Sequence, residues 1–491
     1  MRVVCPDNCS SFPGDGMGPS LLMCGLGDQD EPGVPHPGSR WSSSIQVGIP
    51  PAVKLAGGEC RISQAQHNVL GGRTRWVKLF PMEVLREAFK LLSAGPICNT
   101  CLGRRYAKLG KGLSNAERGQ AIRVLWAMET GGEAAEPDRC WVCEGALFRA
   151  EDYAQKALEA VKDYEFETFL FGVRLTPYQE AVEDFLRKRF PSPWAEPLQR
   201  DLNRAFGRAF ERLLASEGMK ATVDYYHPHV RFTVDLWKGS VEVYIAPAYF
   251  YGRYRKLVRG IPQTHWPCRE CRGKGCPRCN YTGKMYPTSV EELILPVFLE
   301  ACDGEGGHLH GAGREDVDAR MLGRGRPFVV EVERPRRRRV DLKAVAGRIN
   351  AGARGKVEVL DLRPASPELV RKVKELKARK RYLARVSLAA PVTQKQLSEA
   401  LAGLRGEIHQ RTPIRVRHRR ADLVRVRRVH EASGRLLSPT EAEIEILCDG
   451  GLYVKELVSG DEGGTHPSLS ELLGIEARVR ELDVLEVLDD L

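Results

Sequence analysis

The sequence lacks the features of a membrane or secreted protein. No apolar run among its 491 residues approaches the roughly 20 residues that a membrane helix needs. The N-terminus has neither the basic region nor the apolar region of a secretory signal, so we expect a cytoplasmic protein without structural disulfides. A Walker-type phosphate loop and a convincing dinucleotide fingerprint are also missing, which argues against an ATP-dependent or dinucleotide-dependent enzyme.

The composition that is present is ordinary, but the charge is unevenly distributed. Apolar residues make up 42% of the chain and charged residues 28%, and at roughly 100–200 residues per domain we expect about three domains. Residues 331–430 contain 28 Lys and Arg against 10 Asp and Glu, whereas residues 431–491 contain 4 against 15. A segment with a net charge of +18 attracts polyanions. This favours nucleic acid over an acidic protein as the partner.

Two parts of the basic segment have different patterns. Residues Arg371–Arg379 have the spacing of a solvated helix face, which needs no partner. Residues Pro413–Val429 alternate apolar and basic side chains. In a strand, one side of such a stretch faces the core and the other side forms a basic stripe. The alternation therefore predicts strands near Ile414–Arg417 and Leu423–Val429.

Eight of the fourteen cysteines form four CxxC pairs. Two thiolates three residues apart on a tight turn can occupy two corners of a tetrahedron, and a second pair supplies the other two. We therefore predict two structural zinc sites without an open coordination position. The predicted ligands are Cys98, Cys101, Cys140 and Cys143 in the first site, and Cys268, Cys271, Cys276 and Cys279 in the second. A redox dithiol is the alternative at the first site, but it would not need a second CxxC pair.

Composition and periodicity divide the chain into five predicted units. These are a loose extension or mis-called start at 1–46, a zinc-containing segment at 47–149, a second unit at 150–262 (RNA-binding by the family resemblance described below), a compact cysteine knuckle at 263–285 and the largest unit at 286–491. The second half mixes strands and helices in irregular order, which predicts an α+β fold with a mixed or antiparallel sheet. Tyr249–Lys256 interleaves aromatic and basic residues. That pattern fits base stacking and a core strand equally well.

The densest charged cluster between glycines is Gly313–Gly323, which reads Gly-Arg-Glu-Asp-Val-Asp-Ala-Arg-Met-Leu-Gly. Carboxylates and arginines stand side by side there between flexible turns. Such an arrangement can hold a carboxylate near an arginine as a nucleophile or base. It can equally be a salt-bridged turn that only holds a loop, and physical considerations alone favour this structural role.

The motif Gly313-Arg314-Glu315-Asp316 resembles the G-R-x-D motif of the pseudouridine synthase superfamily. With the following Gly325-Arg326-Pro327-Phe328, it resembles the archaeal and eukaryotic tRNA pseudouridine synthases that modify the TΨC arm, the Pus ten family. Further stretches similar to that family are Arg259–Thr264, Thr412–Arg420, Gly451–Val458 and Gly460-Asp461. The resemblance covers about residues 80–491. It implies a pseudouridine synthase catalytic domain and an N-terminal THUMP-like α/β RNA-binding domain with a zinc module.

The resemblance also implies roles for individual residues. Asp316 matches the catalytic aspartate, which either attacks the ribose C1′ or assists glycosidic cleavage. Asp318 does not match and is expected to be structural. Lys455 lies where the superfamily has a basic residue paired with that aspartate, so we expect it beside Asp316 in the fold. Tyr382 resembles the tyrosine that packs on the target uracil.

Two further residues complete the predicted substrate site. Leu457 matches the apolar residue that walls the pocket, and Arg314 would contact the RNA backbone and help to hold the target nucleotide flipped. The family implies modification of uridine 55 of the TΨC loop and, in archaea, also uridine 54. We therefore expect a monomeric enzyme that acts on tRNA with structural zinc and no organic cofactor. A zinc-dependent RNA-binding protein without catalysis is the alternative, and a THUMP-linked methyltransferase or thiouridine synthase would need a nucleotide pocket that we do not find.

Overall fold

The computed structural model describes residues 82–490. The predicted extension at 1–46, and the part of the 47–149 unit before residue 82, lie outside the described residues. Within the described part, no helix is long and apolar enough to cross a membrane.

The N-terminal half of the described chain is mainly helical. Its helices are α1 (Met82–Ser93), α2 (Asn99–Gly103), α3 (Asn115–Thr130), α4 (Ala150–Val161), α5 (Pro177–Arg189) and α6 (Leu198–Ser216). Its strands are β1 (Thr168–Arg174), β2 (Thr222–Val223), β3 (Val230–Asp235) and β4 (Ser240–Ile245). The strands form one sheet in the order β2-β1-β3-β4, parallel except for the β3–β4 hairpin. The strand-like runs Val230–Leu236 and Ser240–Ile245, separated by Trp237-Lys238-Gly239, predict this hairpin from the sequence, and the structure confirms it.

Aromatic side chains join this sheet to the helices behind it. Phe169 and Phe171 alternate with outward residues on β1, and both are buried. The ring of Phe210 on α6 lies 4.9 Å from the ring of Phe169 and 5.0 Å from that of Phe232. The same hydrophobic core extends back to Val84 on α1. The first cysteine quartet and the four-stranded sheet thus share one core.

The C-terminal half contains the larger sheet. Its strands are β5 (Ala248–Lys256), β6 (Gly306–Gly311), β7 (Ala319–Glu333), β8 (Val357–Ala365), β9 (Arg379–Leu388), β10 (Gly406–Arg411), β11 (Val424–Ser438), β12 (Glu441–Cys448), β13 (Thr465–His466) and β14 (Ala477–Leu488). Its helices are α7 (Val290–Cys302), α8 (Leu342–Gly352), α9 (Pro367–Glu375), α10 (Gln394–Gly403), α11 (Val454–Ser459) and α12 (Leu469–Leu473).

These ten strands form one mixed sheet. The order is β13-β10-β11-β12-β9-β14-β7-β5-β8, and β6 pairs with β7. Every pair is antiparallel except β14 with β7. The predicted α+β fold with a mixed sheet is confirmed.

Strand β5 belongs to this larger sheet, although the predicted boundary at residue 262 puts it with the RNA-binding unit. It pairs with β7 on one side and β8 on the other. Its aromatic residues Phe250, Tyr251 and Tyr254 are buried, and the ring of Phe250 is 5.1 Å from that of Phe298 on α7. Arg253 is also buried and forms an ion pair with Asp489 at 2.6 Å. Of the two readings of the pattern, the core strand is therefore correct, because these rings cannot stack on a base.

The strand predicted near Ile414–Arg417 is wrong. Residues Ile414–Arg419 form a short 3-10 helix, and the following strand starts only at Val424. The backbone N–H of Ile414 donates to the carboxylate of Asp461 at 3.1 Å instead of to a neighbouring strand. The expected core side of the stretch is also exposed at Leu423 and Val426. Alternation does not reveal whether a partner strand is available, and among the described residues no strand pairs with Ile414–Arg417.

Candidate active site and cysteine clusters

The Gly-Arg-Glu-Asp loop lies between β6 and β7, and its glutamate points into the protein. Glu315 is buried and accepts hydrogen bonds from the hydroxyl of Tyr254 at 2.9 and 3.0 Å. Arg326, also buried, forms an ion pair with Glu315 at 2.8 Å. Both charges are removed from water but paired with each other, which is the condition under which buried charges are tolerated. Glu315 therefore performs the loop-holding role that physical reasoning favours for this cluster.

Two further polar side chains hold the loop backbone from beneath. Lys256 on β5 donates to the carbonyls of Asp316 at 3.0 Å and Val317 at 3.2 Å. Burial lowers the pKa of Lys256, although Glu315 nearby opposes the shift. Gln263 donates to the carbonyl of Gly313 at 3.0 Å. The sequence analysis predicts a role at this loop for neither residue. Gln263 belongs to the stretch Arg259–Thr264, which resembles the family, but it is not singled out there.

Asp316 faces the other way and remains about one-third exposed. Its Oδ2 atom lies 3.2 Å from Nη2 of Arg415 and 3.5 Å from Nζ of Lys455. A second contact joins Nη1 of Arg415 to Oδ1 at 3.3 Å. The carboxylate thus stands between two cations on a loop whose backbone is fixed by Lys256 and Gln263.

Lys455 lies where it is expected, but its closest partner is Asp318. Its Nζ atom donates to Asp318 at 2.6 and 2.8 Å, shorter than its distance to Asp316. Partial burial acts to raise the pKa of Asp318, but the hydrogen bonds from Lys455 outweigh it and lower that pKa below its ordinary value. Asp318 therefore anchors the lysine next to the aspartate, in agreement with the structural role expected for it.

Arg415 is another residue at this site that was not predicted individually from the sequence. It comes from the 3-10 helix, and its Nε donates to the buried Glu456 of α11 at 2.6 Å. Burial acts to lower the pKa of Arg415, but the carboxylates of Glu456 and Asp316 outweigh it and raise that pKa. One guanidinium thus joins two acids that are 140 residues apart in the sequence. The basic stretch Thr412–Arg420 indicates that arginines act at this site, but the sequence does not distinguish Arg415 from its neighbours.

The other predicted substrate-site residues lie in different environments. Tyr382 on β9 is partly buried where the two cores of the larger sheet meet, and burial raises its pKa. Leu457 on α11 is fully buried in one of these cores. Arg314 is exposed and makes no hydrogen bond or ion pair within residues 82–490. Their proposed contacts with RNA stay predictions.

Lys380 is a second lysine close to the loop that sequence reasoning missed. It lies two residues before Tyr382 on β9, so both side chains leave the same face of the strand. A Cβ atom placed on Gly313 would lie 3.1 Å from its Nζ atom. Burial, together with the charge of Arg326, lowers the pKa of Lys380 to about 7. A lysine beneath the loop thus titrates near neutral pH.

The structure brings together both predicted cysteine quartets. In each quartet the four Sγ atoms lie within 4.8 Å of one another. The separations are 4.0 Å for Cys98–Cys143, 3.9 Å for Cys268–Cys276, 3.8 Å for Cys271–Cys279 and 3.7 Å for Cys276–Cys279. A tetrahedral site with metal–sulfur bonds of about 2.3 Å places its sulfurs about 3.8 Å apart. Each quartet therefore has the geometry of a four-thiolate metal site, and all eight thiols are free of disulfides.

Backbone N–H groups also point at the sulfurs of the second quartet. Gly275 donates to Cys271 at 3.1 Å, and Cys276 and Gly283 donate to Cys279 at 3.2 and 3.3 Å. Hydrogen bonds of this kind stabilise the thiolate form, which is the form that binds metal. The first quartet is fully buried, and the second is more exposed.

Comparison with known proteins defines the class and the family. Residues 249–488 match the family described as "Pus10, C-terminal", and residues 153–235 match "Pus10 THUMP domain, archaeal". The tRNA pseudouridine synthase Pus10 of Methanothrix thermoacetophila is 44% identical over 432 residues, covering 82% of this chain and 94% of that protein. The one of Halorubrum lacusprofundi is 46% identical over 417 residues, covering 83% and 96%.

A crystal structure of a Cbf5-Nop10-Gar1 complex is also similar, at 17% identity and a TM-score of 0.27, over 40% of this chain and 45% of that one. The sequence matches define a pseudouridine synthase with a THUMP domain. The chain belongs to the Pus10 family of tRNA pseudouridine synthases. The predicted family and enzyme class are confirmed.

Proposed function

We propose that this enzyme converts uridine to pseudouridine in the TΨC arm of tRNA, at position 55 and also at position 54, with Asp316 as the catalytic carboxylate. The observation that carries the proposal is the position of Asp316 between Arg415 and Lys455, on a loop fixed by the core. The relatives that match most of the chain are named tRNA pseudouridine synthases, which supports the substrate.

The reaction needs few parts. The N1–C1′ bond of the nucleotide breaks, the uracil turns, and a C5–C1′ bond forms; the proton that C5 loses balances the one that N1 gains. Asp316 either attacks C1′ or assists glycosidic cleavage, and both roles need its negative charge. Nothing is oxidised or reduced and no group leaves the RNA, so the proposal includes no organic cofactor.

The target nucleotide must leave its stack to reach a single carboxylate. Asp316 is accessible, since about one-third of its side chain is exposed. Tyr382 lies nearby on β9 and is proposed to pack against the flipped uracil, with Leu457 behind it as part of the apolar wall. Arg314 has no protein partner in the described chain and is proposed to contact a phosphate beside the flipped nucleotide.

The basic segment supplies only part of its charge to RNA. Several of its arginines are used within the protein: Arg334 with Glu305, Arg339 with Glu167, Arg348 with Glu300, Arg381 with Glu445 and Arg411 with Asp422. Arg371, Lys372 and Lys374 on α9 are exposed, and no such pair involves them in the described chain. We therefore assign the nonspecific attraction for tRNA to exposed cations of this kind.

The two cysteine quartets are proposed to hold one zinc ion each. Zinc suits four thiolates at these separations, and four protein ligands leave no position for a substrate. Both sites are therefore structural. The buried quartet Cys98, Cys101, Cys140 and Cys143 would brace the core that it shares with the THUMP domain.

The test is to incubate the purified chain with an unmodified tRNA transcript and no added cofactor, and then to map pseudouridine. We expect product at position 55 and at 54. Tight tRNA binding without product would instead support the alternative of an RNA-binding protein without catalysis. Product elsewhere in the tRNA would leave the enzyme class intact and refute the assignment to the TΨC arm.

A further inference from the structure

The second cysteine quartet sits in a small module that adds almost nothing to the hydrophobic core. We define the knuckle as residues 267–284. Its ends meet in a β-bridge between Pro267 and Lys284, and the N–H of Cys268 donates to the carbonyl of Gly283 at 2.7 Å. Within the knuckle only Cys268 and Gly283 are buried. Most of the knuckle is therefore open to solvent.

That surface is strongly basic. Arg269, Arg272, Lys274 and Arg278 are all exposed, and Glu270 is the one acidic residue of the knuckle. Glu270 lies 3.7 Å from Arg278. Such an exposed pair contributes little to stability. Four cations on a short scaffold with a single acid therefore form a surface for an anion.

An exposed aromatic ring accompanies these cations. Tyr281 is 75% exposed, and its backbone has a positive φ of 59°. Its carbonyl oxygen lies so close to Gly275 that a Cβ there would be 2.9 Å away. Its backbone is thus held by the turn while its ring points to solvent. Exposed aromatic rings combined with exposed cations are the features with which proteins bind single-stranded nucleic acid, through base stacking and phosphate contacts.

The knuckle is attached directly beside the active-site loop. Four residues before it, Gln263 donates to the carbonyl of Gly313 in that loop at 3.0 Å. Four extended residues span at most about 14 Å, so the neck of the knuckle lies within that distance of Gln263. On the other side, Lys284 pairs with Glu292 on α7. The neck of the knuckle is therefore anchored on both sides, and Gln263 connects it to the loop that carries Asp316.

We propose that the knuckle binds the phosphate backbone of the same RNA whose nucleotide enters the active site, and that Tyr281 stacks on an unpaired base of that RNA. The inference rests on the proposed function in so far as the RNA is the tRNA substrate. Phosphate contacts supply affinity and register without reading sequence. The metal site keeps the cations on a fixed scaffold, so little conformational entropy is lost when RNA binds.

The test compares charge variants of the full-length enzyme that leave all four cysteines in place. The variant R272Q/K274Q/R278Q removes three cations, and E270Q removes the one acid. Binding to an unmodified tRNA transcript is measured from low to high salt. We expect the triple variant to bind at least about tenfold more weakly and its plot of log K against log salt to be shallower by about 2, because fewer counterions are released. E270Q should bind as tightly as the parent or more tightly.

Two further measurements separate an RNA contact from a structural defect. Metal content and the melting temperature of both charge variants should equal those of the parent. The single-turnover rate of pseudouridine formation at saturating enzyme should also be unchanged, because the chemistry lies at Asp316. For the ring, Tyr281→Ala should weaken binding about tenfold, whereas Tyr281→Phe, which keeps the stacking surface, should bind normally.

The outcomes distinguish this inference from the proposed function. If the parent forms pseudouridine and the triple variant keeps the affinity and salt dependence of the parent, the knuckle is not an RNA surface. If the parent binds tRNA without forming product but the triple variant binds more weakly with a shallower salt dependence, the proposed function is wrong and the knuckle still binds RNA. A triple variant that loses metal and affinity together would show that the knuckle acts only through its fold, which would also overturn the inference.

Discussion

Arg415 and Asp316 are 99 residues apart in the sequence, yet two nitrogen–oxygen contacts of 3.2 and 3.3 Å join their side chains. The same guanidinium holds the buried Glu456. The loop that carries the candidate catalytic aspartate is thereby joined to α11, which carries Lys455. The position of Asp316 thus depends on three separate segments of the chain.

Replacing Asp316 by Asn should abolish the reaction. The amide keeps the shape of the side chain, but it cannot act as a nucleophile or base, so we expect the single-turnover rate to fall by about 10²–10⁴-fold. Binding of tRNA should persist, because phosphate contacts do not need this carboxylate. Asp318→Asn is the control, and it should lose less than about fivefold in rate. If Asp318→Asn were the inactive variant, the assignment of the catalytic carboxylate would be wrong.

Replacing Glu315 by Gln should affect stability more than chemistry, although it is the neighbour of Asp316. Its ion pair with Arg326 is almost completely buried. Removing one partner leaves the other charge buried and unpaired, which typically costs about 3–5 kcal/mol. Thermal unfolding should show a clear loss for Glu315→Gln and almost none for Asp316→Asn. Equal melting temperatures for the two variants would contradict the inward orientation of Glu315.

Replacing Arg415 should reduce both the rate and the stability. Arg415→Ala leaves Glu456 without its charged partner and Asp316 with one cation fewer. Because Arg415 is partly exposed, we expect a modest loss of about 1–2 kcal/mol and at least a tenfold lower single-turnover rate. The double variant R415A/E456Q separates the effects, since it should recover stability but not the rate. Full recovery of both would mean that Arg415 matters only through Glu456.

The free energy of unfolding should depend on pH because of Lys380. In the folded protein its pKa is lowered to about 7 from an ordinary value of 10.5, so between these values the unfolded state binds more protons. The destabilisation by Lys380 is then fully present below about pH 7 and disappears as the pH rises toward 10.5. Lys380→Met should therefore stabilise the protein at pH 6.5, on the order of 3 kcal/mol, and have much less effect at pH 10. A stability difference that does not change with pH would refute a buried, neutral Lys380.

Purified protein should contain about two zinc ions per chain, one for each quartet. Cys98→Ser and Cys268→Ser should each lower the content to about one, and only the first should strongly lower the melting temperature, because that quartet lies in a hydrophobic core. Cys302→Ala is the control, since Cys302 is buried but belongs to neither quartet. Metal content measured by mass spectrometry checks all three variants. A parent protein with less than about one zinc per chain would contradict the prediction.

Features with a local cause were predicted correctly from the sequence. A CxxC turn brings two thiolates together within four residues, so the spacing alone predicted that these cysteines could share a site. The β3–β4 hairpin follows in the same way from the short turn Trp237-Lys238-Gly239. The strand predicted at Ile414–Arg417 failed because alternation does not reveal whether a neighbouring strand exists. The segment forms a 3-10 helix instead, and the backbone N–H of Ile414 donates to Asp461.

By itself the sequence determined the family, the two cysteine quartets and the loop that carries Asp316. Each of these is recognised from short motifs, such as a CxxC pair, whose residues are neighbours along the chain. Only the tertiary structure decided which charges meet at that loop. Glu315 points inward, where it pairs with Arg326 and accepts a hydrogen bond from Tyr254 in the core. Asp316 points outward to Arg415 and Lys455. Side chains that are about 100 residues apart become neighbours through the order of the strands in the sheet. Local sequence patterns do not reveal which of these distant side chains will pair.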